Sequence, residues 1–348
     1  MLNRPPDARP RPGAISIWLL LVAAMVLAMI AVGGITRLTE SGLSIVRWEP
    51  VSGILPPLGE EQWQAEFDAY RNSPQYQQIN RGMSLAEFKH IYFWEYVHRL
   101  LGRLIGLAFA LPLLWFWWRR AIPKGQGRKL AGLLALGGLQ GAIGWWMVAS
   151  GLVDRPEVSH IRLAVHLLAA FAIFGLLIWV ALDHRELARA RPRPPARMPT
   201  LAIWALSTLF LQFLFGAYVA GLEAGYAFNT WPRMGDEWFP SETPMMSPFL
   251  ANFVDNPIVV QFVHRWLAMI VAALALALAA KAWLGGQRAA SAALAAAVFL
   301  QVQLGILTIL SGVEIGIAVA HQAMAAVLLG AVLFAAHRLR ARRREIEP

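Results

Sequence analysis

Trp94-Glu95-Tyr96-Val97-His98-Arg99-Leu100 opens a long apolar run, and Val260-Gln261-Phe262-Val263-His264-Arg265-Trp266 opens another, with the histidines 166 positions apart. This V-H-R core, used twice at the head of hydrocarbon-like stretches, sets the reading of the whole chain. Each copy is followed by a second histidine in apolar surroundings: His166 in Ala164-Val165-His166-Leu167, and His321 in Val319-Ala320-His321-Gln322. Three residues before the first histidine the copies part. The first has Glu95 and the second Gln261.

The runs around these motifs are too long for a soluble core. The chain has 348 residues, is 57% hydrophobic and has a mean hydropathy of +0.50. Eight runs, at about 14–36, 91–118, 130–150, 161–182, 200–221, 258–280, 289–310 and 316–336, approach or exceed the length that crosses a bilayer. They are continuous rather than alternating in polarity, so the spans are helices and not barrel strands. The expected fold is an all-α integral membrane protein with eight transmembrane helices. Cysteine is absent, which excludes disulfides, thiolate metal sites and thiol redox chemistry.

The net charge of +10 reads as topology. With the loops assigned alternately, the two tails and the loops near 119–129, 183–198 and 281–288 hold 20 Lys and Arg. The loops near 36–90, 151–160, 222–257 and 311–315 hold 7. That asymmetry puts both termini in the cytoplasm and the histidine ends of the spans outside. Basic surface of this kind meets anionic lipid rather than nucleic acid. The first run follows Arg4, Arg9 and Arg11, so a cleaved signal peptide is the alternative. Its length, and the repeat described next, make it a span.

Two halves emerge. Gly42 through Trp48 carries a G-x5-W pattern that returns as Gly225 through Trp231. Leu139-Gln140, Gly144 and Ser150-Gly151 match Leu300-Gln301, Gly305 and Ser311-Gly312 at a constant offset of 161. Four spans per half is an even number, so the halves share one orientation, a parallel repeat of two four-helix bundles. The expected divisions are a cytoplasmic tail (1–13), an N-terminal half (14–183) with a long outer loop (37–90), a cytoplasmic linker (184–198), a C-terminal half (199–337) and a basic tail (338–348). The outer loop carries Trp63, Phe67, Tyr70 and Tyr76 at partly helical spacing, which predicts short amphipathic helices capping whatever lies beneath.

The repeat places His98, His166, His264 and His321 at similar depth, near the outer ends of their helices. Two neutral imidazoles facing each other across a bundle form a natural axial ligand pair for haem iron. Arg99 and Arg265, and also Arg37 or Arg162, are candidates to pair with haem propionates. Packing or snorkelling explains a single histidine or arginine, but four histidines at matched positions point to ligation. His90, His160, His184 and His337 lie at membrane edges or in loops and read as interfacial. A di-iron centre needs a second carboxylate–histidine unit and more carboxylates, and Gln261 denies it the former. Glu95 lies one turn before His98 on the same helix face. Its alternatives are a salt bridge to Arg99 or Arg103, or chemistry in the first pocket while the second holds a permanent cofactor.

These residues resemble the heme A synthase family, in its cysteine-free proteobacterial and mitochondrial form. The stretches that carry the resemblance are Gly33 through Ser44 (GGITRLTESGLS), Glu95 through Arg99, Asn229 through Met234 (NTWPRM), Gln261 through Arg265, and Ala320-His321-Gln322. The resemblance implies an oxidoreductase of a cell inner membrane, with its haem sites toward the periplasm. Its reaction turns the C8 methyl of heme O into the formyl group of heme A, for terminal oxidases. It implies that His98 and His166 bracket the substrate haem, with Arg99 beside it, and that His264 and His321 ligate the iron of a bound heme b, with Arg265 beside it. It also implies that Glu95 takes part in catalysis. The partners implied are heme O, a heme O synthase (protoheme farnesyltransferase), an electron-transfer partner and membrane lipid, with self-association into a homo-oligomer left open. The residues by themselves also allow a bis-histidine cytochrome b that only transfers electrons, or a haem carrier. Neither accounts for the Glu95/Gln261 difference.

Overall fold

A computed structural model describes residues 9–47, 52–153, 155–189 and 197–340. Among these, eleven α-helices form in order: α1 (Pro12–Leu38), α2 (Glu60–Arg71), α3 (Pro74–Gln78), α4 (Leu85–Trp118), α5 (Gly127–Val148), α6 (His160–Leu187), α7 (Thr200–Gly221), α8 (Asn252–Asp255), α9 (Pro257–Leu284), α10 (Arg288–Leu310) and α11 (Ile315–Arg338). Eight of them (α1, α4 to α7 and α9 to α11) are long and apolar enough to cross a membrane. The chain is a multi-pass membrane protein. Trp48, the tryptophan of the first G-x5-W pattern, and 190–196 of the expected linker lie outside the described residues, as do 1–8 and 341–348.

Local chemistry sets where the spans begin. α4 starts six residues before the apolar run does, because Ser84 and Glu87 form a reciprocal cap: Glu87 N–H donates to Ser84 Oγ and Ser84 N–H to Glu87 Oε2 (2.8 Å). The periodicity of the apolar run alone placed that start at 91. Asn256 caps α9, whose first residue is Pro257, and Glu314 caps α11 by accepting from Gly316 and Ile317 N–H (2.9 and 2.8 Å). Those two bonds hold the Glu314 carboxyl below the usual carboxylate range.

The helices α1, α4, α5 and α6 contact one another around a closed ring, and so do α7, α9, α10 and α11. The rings join through α1, α6, α7 and α11. One apolar core runs through both, with Leu19, Leu177, Leu209, Leu278, Leu294 and Leu329 fully buried. The join is tight. Phe171 stacks on Phe213 at 4.1 Å, Gln322 Nε2 donates to the Ile30 carbonyl (2.7 Å), and Gly221 lets α7 press on His160 at the start of α6.

The expected cap is present. Trp63, Phe67 and Tyr70 of α2 and Tyr76 of α3 pack with Phe88, Ile91 and Tyr92 at the start of α4. Tyr70 donates to Gln75 Oε1 (3.0 Å), and Gln75 Nε2 reaches back to the Glu40 carbonyl (2.9 Å), which ties α3 to the chain leaving α1. Burial pushes the Tyr70 hydroxyl above its ordinary pKa.

Candidate functional site

All four histidines lie at the capped end, each early in its helix: His98 in α4, His166 in α6, His264 in α9 and His321 in α11. Each faces a glycine near the end of the neighbouring antiparallel helix. A Cβ added at Gly33 would stand 3.4 Å from His98 Nε2. At Gly144 it would stand 2.9 Å from His166 Cε1, at Gly216 3.0 Å from His264 Cε1, and at Gly305 2.9 Å from His321 Cε1. A side chain at Gly144, Gly216 or Gly305 would force the facing ring to shift, while at Gly33 a Cβ would only touch His98, so glycine is what lets three of the four imidazoles seat. Gly33 and Gly216 stand 183 positions apart, the same interval as Gly42 and Gly225. His98 has His166 as its near neighbour and His264 has His321, the pairs that the sequence pattern gave.

Three of the four rings have a glutamine, a residue type to which the sequence pattern gave no role. Gln140 Nε2 lies 3.2 Å from His166 Nδ1, Gln212 Nε2 3.0 Å from His264 Nδ1, and Gln301 Nε2 3.3 Å from His321 Nδ1. The signal for them was a polar residue within an apolar run. His98 makes no side-chain hydrogen bond among the described residues. At the interval of 183 from Gln212 stands Met29, whose methyl would press within 3.2 Å of a Cβ at Gly102. The second pair is therefore held by glutamines on both rings, and the first on one only.

The residue three before the histidine ties down the chain that leaves the preceding long helix. In the first ring, Glu95 Oε2 accepts from Ser44 Oγ (2.7 Å) and Ile45 N–H (2.8 Å). Its Oε1 accepts from Arg99 Nε (3.0 Å) and Nη2 (2.6 Å). Arg99 continues to the carbonyls of Ile45 (2.9 Å) and Arg47. In the second ring, Gln261 Nε2 donates to the Phe228 carbonyl (3.0 Å). Arg265 donates to those of Phe228 (2.8 Å) and Thr230 (2.8 Å). Glu95 and Gln261 are 3% and 2% exposed, so depth does not separate them. Charge does. The salt bridge between Glu95 and Arg99, one of the two readings of the sequence, is formed.

The cations with candidate roles at propionates have protein partners. Arg99 and Arg265 hold the loops just described. Arg37 pairs with Glu223 (3.2 Å) and approaches Glu157 (3.8 Å), while Arg162 donates to the Trp146 carbonyl (2.8 Å) and lies over that ring. Glu157 and Glu223 come from separate loops, and Trp146 from the neighbouring helix α5, which no local motif reveals. His184 and His337 sit at the opposite end of the protein: His184 contacts its own helix through the Val180 carbonyl, and His337 pairs with Asp183 (3.2 Å).

The second pair fits a haem. Ligation through Nε2 leaves an Nδ1–H that needs an acceptor. Gln212 Oε1 and Gln301 Oε1 are buried without a partner; turning the Gln301 amide over presents its oxygen to that proton, whereas Gln212 Nε2 also donates to the His264 carbonyl (3.0 Å), a bond the same turn would give up. Gln140 Oε1 stands in the same condition beside His166. No group of three or more His, Cys, Asp or Glu among the described residues is arranged to hold a bare metal ion. Two imidazoles per site suit an iron whose other ligands come from a porphyrin.

The fold and these pairs define a class: a polytopic helical membrane protein with paired histidines at one end of two helix rings. A family model described as cytochrome oxidase assembly protein matches residues 16–333. The heme A synthase of Rhizorhabdus wittichii is 56% identical over 97% of this chain and 98% of its own length. That of Sphingopyxis alaskensis is 50% identical (95% and 93%), and that of Rhodospirillum centenum 51% (97% and 93%). The chain belongs to this heme A synthase family of cytochrome oxidase assembly proteins.

Proposed function

We propose that this protein oxidises the C8 methyl of heme O to the formyl group of heme A. The first ring takes the substrate between His98 and His166. The second holds a heme b between His264 and His321. The observation that carries this reading is the contrast at one position: Glu95 accepts from its loop and from Arg99, where Gln261 donates to loop carbonyls. An amide oxygen could accept from Ser44 and Ile45 as well, and the second ring anchors its loop at the same depth with no carboxylate. The buried negative charge of Glu95 therefore has another use, and intramembrane carboxylates are costly enough to need one.

The reaction adds one oxygen atom and removes hydrogen. A methyl group and a water become a formyl group, four protons and four electrons, in two successive oxidations whose hydrated product loses water. The porphyrin stabilises the reacting carbon, so the chain supplies position, a proton acceptor and an exit for electrons. Glu95 is the proposed acceptor, one helical turn from His98. Both its oxygens are occupied by donors, so it takes up a proton as Ser44 and Ile45 release it. Arg99 keeps the carboxylate in place while that happens. When bound, heme b supplies one-electron transfer toward an external acceptor.

The excess of Lys and Arg in alternate loops supports the capped end facing the periplasm from the cell inner membrane, with both termini cytoplasmic. The matched glycine contacts and the recurring intervals support two parallel-repeated halves, 14–183 and 199–337. A heme O synthase as donor of the substrate and an electron-transfer partner complete the proposal. Purified protein given heme O and an electron acceptor is expected to yield heme A by mass spectrometry. Tight binding of heme O with no formyl product would favour a carrier instead.

A further inference from the structure

On α5, Gly137, Gly141 and Gly144 share a face with Gln140, Leu133 and Leu130. That face points into the first ring: Gly144 and Gln140 meet His166, and Leu130 and Leu133 are buried. Yet no atom beyond the helix itself lies within 4 Å of a Cβ added at Gly137 or Gly141, and both are exposed. The space extends about 10 Å inward from Gly144, at 1.5 Å per residue. At the offset of 161 the second ring has Val298 and Val302 in their places. Val298 is 5% exposed and belongs to the core, and Val302 is half-buried. Two rings with matching histidines thus differ in one wall, open in the first and filled in the second. Gln140 on the same face reaches His166 through Nε2 (3.2 Å) as Gln301 reaches His321 (3.3 Å), so the polar edge of the two walls is alike and the glycine stretch is where they differ.

The two proposed haems differ in the same way. Heme b carries a short vinyl group where heme O carries a hydroxyethyl group extended by a long farnesyl chain. We propose that the Gly137–Gly141 face of α5 is the binding site for that isoprenoid chain. It makes the first ring selective for the tailed haem, while Val298 and Val302 make the second selective for the tail-less one. This inference rests on the assignment of substrate to the first ring and goes beyond it in naming what selects the substrate.

The test uses full-length protein purified with its second-ring haem in place and titrated separately with heme O and heme b. Bound haem is identified after extraction. Wild type is expected to prefer heme O in the first ring by about tenfold or more. In Gly137→Val/Gly141→Val that preference reverses: heme O is lost, heme b is taken up, and the His264/His321 haem keeps its absorbance. Gaining heme b is a result that misfolding does not produce. The smaller Gly137→Ala/Gly141→Ala change gives an intermediate preference. Unaltered heme O binding in the valine variant would overturn the inference, and so would equal loss of both haems from the first ring. A wild-type first ring that takes no heme O would instead overturn the substrate assignment itself.

Discussion

The two helix rings place histidine pairs in matching glycine notches, yet they differ in three places. The first ring has Glu95, Met29 and an open α5 face. The second has Gln261, Gln212 and a valine-filled α10 face. Each difference makes the first pocket more charged, less rigid or roomier. Those are properties for a ligand that is turned over and released. A permanent cofactor wants locked imidazoles, no ionisable neighbour and no spare volume. In the proposed reading the frame holds haem, and the departures from it decide which haem reacts.

The largest expected effects come from the histidines. His264→Ala or His321→Ala should remove the low-spin bis-histidine spectrum of the purified protein and abolish turnover. His98→Ala should abolish turnover and leave that spectrum in place. If both variants lose the same haem, the assignment of different haems to the two rings fails.

Next comes the carboxylate. Glu95→Gln should lower the rate of heme A formation by about 100-fold or more, the usual scale for a proton-transfer group, with second-ring haem retained. The mirror change, Gln261→Glu, should leave the chemistry in the first ring and disturb only its own clasp. There a carboxylate would face the Phe228 and Gly225 carbonyls in place of an amide donor. The expected cost is about 1–3 kcal/mol of stability, read as a lower thermal midpoint.

A smaller effect is expected from Gln212→Met, which gives His264 the apolar neighbour that His98 has. Heme b should remain bound but dissociate faster, and its absorbance and midpoint potential should shift as the imidazole loses its partner. Unchanged haem release would remove rigidity from the list of differences.

The smallest effect lies at the junction of the rings, where Arg37 faces Glu223 and Glu157. Burial, with Glu223 and Glu40 nearby, pushes the Glu157 carboxyl up despite the attraction of Arg37. A raised folded pKa means that the folded protein binds this proton more tightly than the unfolded chain. Stability is therefore gained as pH falls through the folded value and lost as pH rises through it. Glu157→Gln should stabilise slightly at neutral pH, by less than about 1 kcal/mol for so exposed a group, and the gain should vanish at acid pH. A gain that persists at acid pH would contradict this.

Much of the arrangement was legible in the sequence because its signals are local. Apolar length marked all eight spans, and the spaced aromatics of α2 and α3 marked the cap. The start of α4 was missed because a capping pair at Ser84 and Glu87 carries the helix out beyond its apolar stretch. The histidine pairs followed from the repeat. Their glutamines did not, since Gln140 and Gln301 showed only as matched positions and Gln212 has a methionine as its counterpart. Most of the protein partners of the candidate arginines were not legible either. Apart from Glu95, one turn from Arg99, those partners lie 16 to 186 residues away in sequence and become neighbours only on folding.

The most direct test of unequal rings is mass spectrometry of haem extracted with the protein from cells that make heme O, comparing wild type with Glu95→Gln. The account predicts heme A in the wild type. In the variant it predicts heme O with an undiminished share of heme b, and almost no formyl product. Heme A at wild-type levels in Glu95→Gln would show that the charge separating the two rings takes no part in the reaction.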